Sequence, residues 1–256
     1  MSDGDIVAKL LQHLVEPPRP CAYLPDRDAQ LEIRVQVEVT AAELESMLER
    51  GWRRFGPMYF RPACVGCGEC VTLRIDVPTF APRKSQRRAA KNAAPLRRVV
   101  GAPIVDEERL ALYRRWHRQR ETARGWEPTA IDPERYAMDF AFPHPAAREV
   151  AFRDPADGDR LLGLGIFDEM PHAMSAVYFF WDPERAPSSL GVANVVTLVE
   201  DARKKGLRHV YLGYRVLGCP SLVYKSSYQP HELLVGRPSP EEPTIWQSAV
   251  VVESKV

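Results

Sequence analysis

The order of hydrophobic periodicities between residues 106 and 216 limits the fold more than any other feature of the sequence. Behind Asp106, a residue type suited to an N-cap, Leu110, Tyr113 and Trp116 recur at helical spacing as far as Gly125. Asp132-Pro133 carries the chemistry of a second helix start. From Arg148 the pattern changes to extended segments at residues 149–153, 160–167 and 173–181, with Asp154-Pro155-Ala156-Asp157-Gly158 as the first turn. Residues 188–205 read as an amphipathic helix with Leu190, Val195, Leu198, Val199 and Ala202 inward, closed by Gly206, and residues 208–214 as a further strand. This order predicts an α+β arrangement in which helices cover a mostly antiparallel sheet.

The preceding hundred residues look different. Residues 6–14 predict a short helix with Ile6, Leu10 and Leu14 on one side, ended by Pro17-Pro18-Arg19-Pro20. Residues 31–39 alternate without a break and predict a strand with one buried face. Thr40 and Glu43 form a capping-box pattern, opening a helix that buries Leu44, Met47 and Leu48 and stops at Gly51. A strand or hairpin broken at Gly56-Pro57, a strand at 72–77 and a helix at 84–92 ended by Pro95 follow. The expected division is an N-terminal Cys-containing, basic lobe over residues 1–100, a second domain over 101–247 and a flexible tail over 248–256.

Chemistry concentrates in the first part. Cys64, Cys67 and Cys70 stand at a strict three-residue spacing, with a lone Cys21 upstream. That spacing is the one seen in iron–sulfur ligation, and Cys21 is a candidate fourth thiolate for an iron–sulfur cluster or zinc; the alternative is a set of free or buried thiols. The five cysteines are an odd number and are clustered, which suits a reducing cytoplasm better than a disulfide framework. The acidic start Met1-Ser2-Asp3-Gly4-Asp5 lacks a secretory pattern, and no apolar run approaches the roughly 18 residues of a membrane helix. Between Asp76 and Asp106 there is no acid, while Arg83, Lys84, Arg87, Arg88, Lys91, Arg97 and Arg98 lie there. A local basic patch of this kind suits a phosphate-rich partner; otherwise it is a solvated helix face.

Several short motifs occur in a fixed order over residues 21–247. They are Cys21-Ala22-Tyr23-Leu24-Pro25-Asp26-Arg27, Gly51-Trp52-Arg53-Arg54-Phe55-Gly56, Tyr59-Phe60-Arg61-Pro62 with the cysteine run, and Ser85-Gln86-Arg87-Arg88. Ser189-Leu190-Gly191, Tyr211-Leu212-Gly213-Tyr214, Cys219-Pro220 and Tyr224-Lys225 complete the set. In this ordered set the chain resembles the bacterial aminoacyl-tRNA–protein transferases, in particular the aspartate/glutamate leucyltransferases, relatives of the arginyl-tRNA–protein transferases. It departs from their usual pattern at Val71 and Leu222, and Leu24 stands where the eukaryotic relatives carry a second cysteine.

The order of elements over residues 106–216 recurs in the acetyltransferase-like (GNAT) fold, which is the expectation, by fold analogy, for the second domain. The resemblance implies a reaction in which an amino acid, expected to be leucine, passes from aminoacyl-tRNA to the α-amine of a protein beginning with Asp or Glu, marking it for N-degron degradation. An α-amine has a pKa of about 8 and the donor is an activated ester, so alignment, proton acceptance and oxyanion stabilisation suffice, with no cofactor required for the step. Under this reading Arg83, Lys84, Arg87 and Arg88, with Arg53, Arg54 and Arg61, are candidates for tRNA phosphates, and Ser189 and Gly191 for the tRNA 3′ end. Tyr211, Tyr214 and Lys225 are candidates for acceptor or oxyanion contacts. The segment Trp181-Asp182-Pro183-Glu184-Arg185-Ala186-Pro187 has no glycine with which to cradle a pyrophosphate, which disfavours coenzyme A as donor. Arginyl transfer by the same chemistry, and a non-catalytic, metal-stabilised nucleic-acid-binding module, are the alternatives.

Overall fold

The central sheet draws strands from both ends of the chain. The computed structural model describes residues 8–124 and 131–249. In chain order the elements begin with β1 (Lys9–Val15), β2 (Arg19–Pro20), β3 (Asp28–Ala29), β4 (Leu31–Val37), α1 (Ala41–Glu49), β5 (Arg53–Phe55), β6 (Met58–Pro62) and β7 (Val71–Asp76). They continue with α2 (Lys84–Ala93), β8 (Arg97–Gly101), α3 (Glu107–Arg124), α4 (Pro133–Phe140), β9 (Ala147–Asp154), β10 (Arg160–Glu169) and β11 (Ala173–Trp181). Last come α5 (Leu190–Lys204), β12 (His209–Arg215), α6 (Pro220–Val223), β13 (His231–Leu234) and β14 (Trp246–Ala249).

Eight strands form the main sheet in the order β14-β13-β7-β12-β11-β10-β9-β8. Every neighbouring pair is antiparallel except β11 and β12. Local signals explain many of the elements. Thr40 Oγ1 accepts from Glu43 N while Glu43 returns a carboxylate to Thr40 N, so the capping box starts α1. Asp132 accepts from Arg135 N, with Pro133 in the first helical turn, so α4 starts as its sequence predicts.

The sheet is covered on both faces. Alternation along β9 sends Val150 and Phe152 to one side, where they pack with α2 and α5, and Ala151 to the other, where it packs with α3 and α4. A Cβ at Gly165 on β10 would lie 2.7 Å from Asn194 Oδ1 of α5, so the helix can sit this close only over glycine. A second sheet, β1-β4-β6-β5, packs with α1 against the same side as α3 and α4. Leu44 and Leu48 of α1 are buried there with Tyr59, Met170 and Tyr211.

Three expectations are corrected. The helix expected at residues 6–14 is, within the described residues, strand β1, paired antiparallel with β4. The helical spacing of Leu10 and Leu14 is coincidental, because Leu10 faces solvent at the sheet edge, 50% exposed. The expected boundary near residue 100 does not divide the sheet, since β7 from the Cys-containing part lies between β12 and β13. The tail expected from residue 248 begins as strand: Gln247 and Ser248 pair with Leu233 and Glu232. The rest of that tail, residues 250–256, and the helix end expected at Gly125 lie outside the described residues. Among the described residues no helix is long and apolar enough to cross a membrane.

Candidate active site

The one parallel pair creates an opening. β11 and β12 are in register only over Ala173–His209, Met174–Val210 and Ser175–Tyr211. β11 then runs on to Trp181 and β12 to Arg215 without further pairing to each other. Backbone groups beyond Ser175 therefore need other partners. One comes from the second sheet: Arg53 of β5 reaches into the gap, its Nη1 donating to Ser175 Oγ at 2.9 Å and its Nη2 to Ala176 O. Gly213, beside Arg53, holds a left-handed conformation at φ +80° that favours glycine at this position. A register shift in β12 between Tyr211 and Gly213 accompanies this insertion.

Beyond Arg53 the gap widens into a cleft of about 570 Å³. Tyr178, Phe179, Trp181, Leu190, Leu212 and Leu222 give it an apolar lining, Ser189 and Gly191 stand at the start of α5, and Trp116 and Arg120 line it from α3. Arg120 lies 5.1 Å from the Trp181 ring centroid and 5.4 Å from that of Trp116. Lys225, in the short 3₁₀ turn Tyr224–Ser227, lines the cleft beside Tyr23 and Tyr224. Its Nζ donates to Tyr214 O at 3.0 Å. Burial, and then the Arg53 guanidinium, lower the Lys225 ammonium to about 7, against weaker opposing effects of the Cys219 and Cys70 thiols. Among the described residues that line this cleft there is no Asp or Glu.

The loop after β11 has a different design from a pyrophosphate cradle. Asp182 is buried and its Oδ1 accepts from the backbone N–H groups of Glu184 and Arg185, each at 3.1 Å. A carboxylate thus occupies amides that a bound phosphate would need.

The residues singled out in sequence fall into distinct groups. Ser189, Gly191 and Lys225 share the cleft, with Arg53 behind it. Tyr214 is buried, and its hydroxyl donates to Gly51 O at 3.0 Å and lies 3.3 Å from Phe60 O, which ties β12 to the second sheet. Burial raises the Tyr214 phenol above its ordinary range. Tyr211 lies on the same face of β12 as Tyr214, because the bulge before Gly213 offsets their odd spacing; its ring meets Trp246 edge-on at 5.8 Å and its hydroxyl faces Arg74. Arg54 is buried in an ion pair with Asp168, and its Nη1 donates to Gly56 O at 3.2 Å. Arg61 bonds Glu32 at 2.6 Å and Pro238 O at 2.9 Å, while its guanidinium lies 4.8 Å from the Trp52 ring centroid.

Arg83, Lys84, Arg87 and Arg88 are exposed along α2, whose buried side is Gln86, Ala89 and Ala93. Gln86 Nε2 donates to Ser227 O at 3.3 Å, so the cationic helix is fastened to the turn that carries Lys225.

The cysteines are neighbours in space. Cys64, Cys21 and Cys67 act electrostatically on Cys70, whose thiol is pushed up to about 12, first by burial and then by these neighbours. Cys64 Sγ accepts from Gln30 N at 3.4 Å, and Arg237 bonds the carbonyls of Cys64 and Cys67. Among the described residues no three His, Cys, Asp or Glu side chains converge in a group that could hold a metal ion. Thiolates are the donor type that zinc or an iron–sulfur cluster takes.

Sequence reasoning missed Trp116, Arg120, Tyr178, Phe179, Trp181 and Leu222 as cleft residues. The available signal was the aromatic run Tyr178-Phe179-Phe180-Trp181, which loads both faces of one strand with rings, together with the four-residue spacing of Trp116 and Arg120.

Comparison with known proteins gives a consistent pattern. A family model described as "Arginine-tRNA-protein transferase, C terminus" matches residues 108–235, and its N-terminal counterpart matches residues 19–88. A protein of Halorhodospira halophila named "Aspartate/glutamate leucyltransferase" is 36% identical over 220 residues, covering 85% of this chain and 91% of that one. A protein of the same name from Chromobacterium violaceum is 37% identical over 220 residues, covering 86% and 89%. Among solved structures, "The structure of L-PGS from Bacillus licheniformis" aligns with a TM-score of 0.44 at 13% identity, over 70% of this chain and 58% of that one.

Proposed function

The chain belongs to the arginine-tRNA-protein transferase family and moves an amino acid from aminoacyl-tRNA to a protein, and on that premise we propose that the amino acid is leucine and the acceptors begin with Asp or Glu. Family membership removes the non-catalytic nucleic-acid-binding alternative. The observation that carries the donor choice is the cleft lining. Tyr178, Phe179, Leu190 and Leu212 offer apolar surface, and among the described residues none that lines it is Asp or Glu. A leucyl side chain needs only that surface, whereas an arginyl guanidinium would lose water there without gaining a counter-ion. The cationic residues Arg120 and Lys225 favour an acidic first residue on the acceptor.

The reaction follows from these parts. α2 presents Arg83, Lys84, Arg87 and Arg88 to the tRNA phosphates, and Ser189 and Gly191 lie where the 3′ end would enter at the start of α5. The amine attacks the ester carbonyl carbon, and catalysis rests chiefly on alignment, with no cofactor in the step. The parting of the parallel pair above the start of α5 supports an acetyltransferase-like (GNAT) reading of the large sheet. Addition of leucine to acidic N-termini would make the protein part of an N-degron pathway in the cytoplasm, where charged tRNA is available.

A metal ion or iron–sulfur cluster at Cys21, Cys64, Cys67 and Cys70 is a separate proposal, supported by the electrostatic proximity of the four thiols. Metal analysis of anaerobically prepared protein checks it, and metal-free active protein removes it.

The test of function is direct. Protein supplied with labelled leucyl-tRNA and a peptide beginning with Glu should incorporate label, and arginyl-tRNA should serve at least ten times less well. Preference for arginyl-tRNA would overturn the donor assignment.

A further inference from the structure

We propose that Lys225 is the group that takes the proton from the acceptor's α-ammonium, with Arg53 as the positioning residue behind it. This rests on the transfer reaction derived above and names the proton acceptor that the reaction needs. The argument starts from one backbone position. A Cβ at Gly213 would lie 3.4 Å from Arg53 Nε and 3.5 Å from Lys225 Nζ, so both cationic side chains flank the same residue of β12. Arg53 is fixed there by Ala176 O, a backbone acceptor just beyond the last paired residues of β11 and β12, and by the Ser175 hydroxyl. Lys225 is fixed by Tyr214 O.

A buried and a half-buried cation side by side repel each other, and a guanidinium does not give up its proton in a protein. Lysine is the member that yields. The groups that face it are Arg53 from β5, Cys219 at the start of α6 and Cys70 before β7. Among the described residues the cleft lining supplies no carboxylate to hold the ammonium charged. A neutral amine can donate one N–H to Tyr214 O and still keep a lone pair. Its affinity for protons, near neutrality, matches the requirement for a base acting on an α-ammonium of pKa about 8.

The step balances. The acceptor ammonium gives a proton to Lys225 Nζ, and the freed nitrogen attacks the ester carbonyl carbon. The tetrahedral adduct expels the tRNA ribose oxygen, which takes one of the two protons left on the attacking nitrogen; the other stays as the amide N–H. Lys225 then releases its proton to water. One C–N bond forms and one C–O bond breaks, with no oxidant, metal or nucleotide consumed.

The competing role for Lys225 is as an ion-pair partner for the acceptor's side-chain carboxylate, and the experiment separates the two. Transfer of labelled leucine is measured on peptides beginning with Glu and with Gln, for wild type and Lys225→Met, from pH 5.5 to 9. A base predicts that Lys225→Met lowers kcat at least 100-fold on both peptides. An ion-pair partner predicts a raised KM on the Glu peptide alone with kcat preserved, and that result overturns the proposal. Removing a half-buried amine that repels Arg53 should leave thermal unfolding at pH 7 unchanged or raised. The wild type provides the second readout, because its kcat on saturating Glu peptide should rise with pH through a transition near 7, and a flat profile between pH 6 and 8.5 overturns the proposal without any variant. A wild type inert with both leucyl- and arginyl-tRNA sinks the reaction itself, whereas an active wild type with an equally fast Lys225→Met sinks the proposal alone.

Discussion

Two sets of arginines with similar surroundings in sequence behave differently in the fold. Arg53, Arg54 and Arg61 lie in the second sheet, and each is engaged: Arg53 with Ser175 and Ala176, Arg54 with Asp168, Arg61 with Glu32 and Pro238. Arg83, Arg87 and Arg88, with Lys84, lie on the outer face of α2 and are exposed. The first set had to be paired, because an unpaired buried guanidinium costs several kcal/mol. The second set is stable in water and can exchange that water for phosphate. Charge in a sequence is therefore a weak guide to a nucleic-acid face until burial is known.

The largest expected effect lies in the buried set. Arg54→Ala should leave Asp168 uncompensated and cost about 3–5 kcal/mol in chemical denaturation. A loss below about 1 kcal/mol would mean that the pair is not buried in solution, and the contrast would fail. Arg61 is intermediate, since it is only partly buried. Arg61→Met should cost about 1–2 kcal/mol of stability by losing the Glu32 bond and its place against Trp52, with the KM for tRNA unchanged.

Arg87→Ala with Arg88→Ala should do the reverse. Stability should stay within about 0.5 kcal/mol of wild type, as usual for surface changes. The KM for tRNA should rise on the order of tenfold, and the salt dependence of tRNA binding should lose roughly two units of slope. Unchanged tRNA affinity in a filter-binding titration would remove α2 from the interface.

The smallest effect at neutral pH comes from His144, which lies beside the buried set. Burial and then Arg54 lower its imidazole to about 4. Between about 6.5 and 4 the unfolded chain binds a proton there that the folded chain does not, so stability falls as pH drops through that window. Above pH 7 His144 makes no pH-dependent contribution. Denaturation midpoints followed from pH 7 to 4 should show a shallower decline in His144→Asn than in wild type.

Legibility in the sequence followed the range of the interactions. The capping box at Thr40 and Glu43, the start of α4 at Asp132-Pro133 and the strand at β4 were readable because the residues that cause them lie within a few positions. β13 was not, because its ladder partner is β7, and His231 opposite Ile75 is 156 positions away. β1 was misread because Leu10 and Leu14 fit a helix as well as an edge strand, and only pairing with β4 decides between them. Among the candidate site residues, Ser189, Gly191 and Lys225 do share one cleft. Tyr211 and Tyr214 lie outside that cleft: the bulge before Gly213 turns both toward the second sheet and α1, Tyr214 onto Gly51 O and Tyr211 beside Trp246, and no short window of sequence shows that bulge.

The family, the order of most helices and strands, and the cationic face of α2 were set by residues that can be read one short window at a time. The cleft was not. It exists because two parallel strands part after Ser175, an arginine from another sheet fills the vacated hydrogen bonds, and a lysine from a distant turn meets that arginine across a glycine. Which charges are paired, which are solvated and which must give up a proton depends on desolvation, and desolvation is a property of the assembled fold.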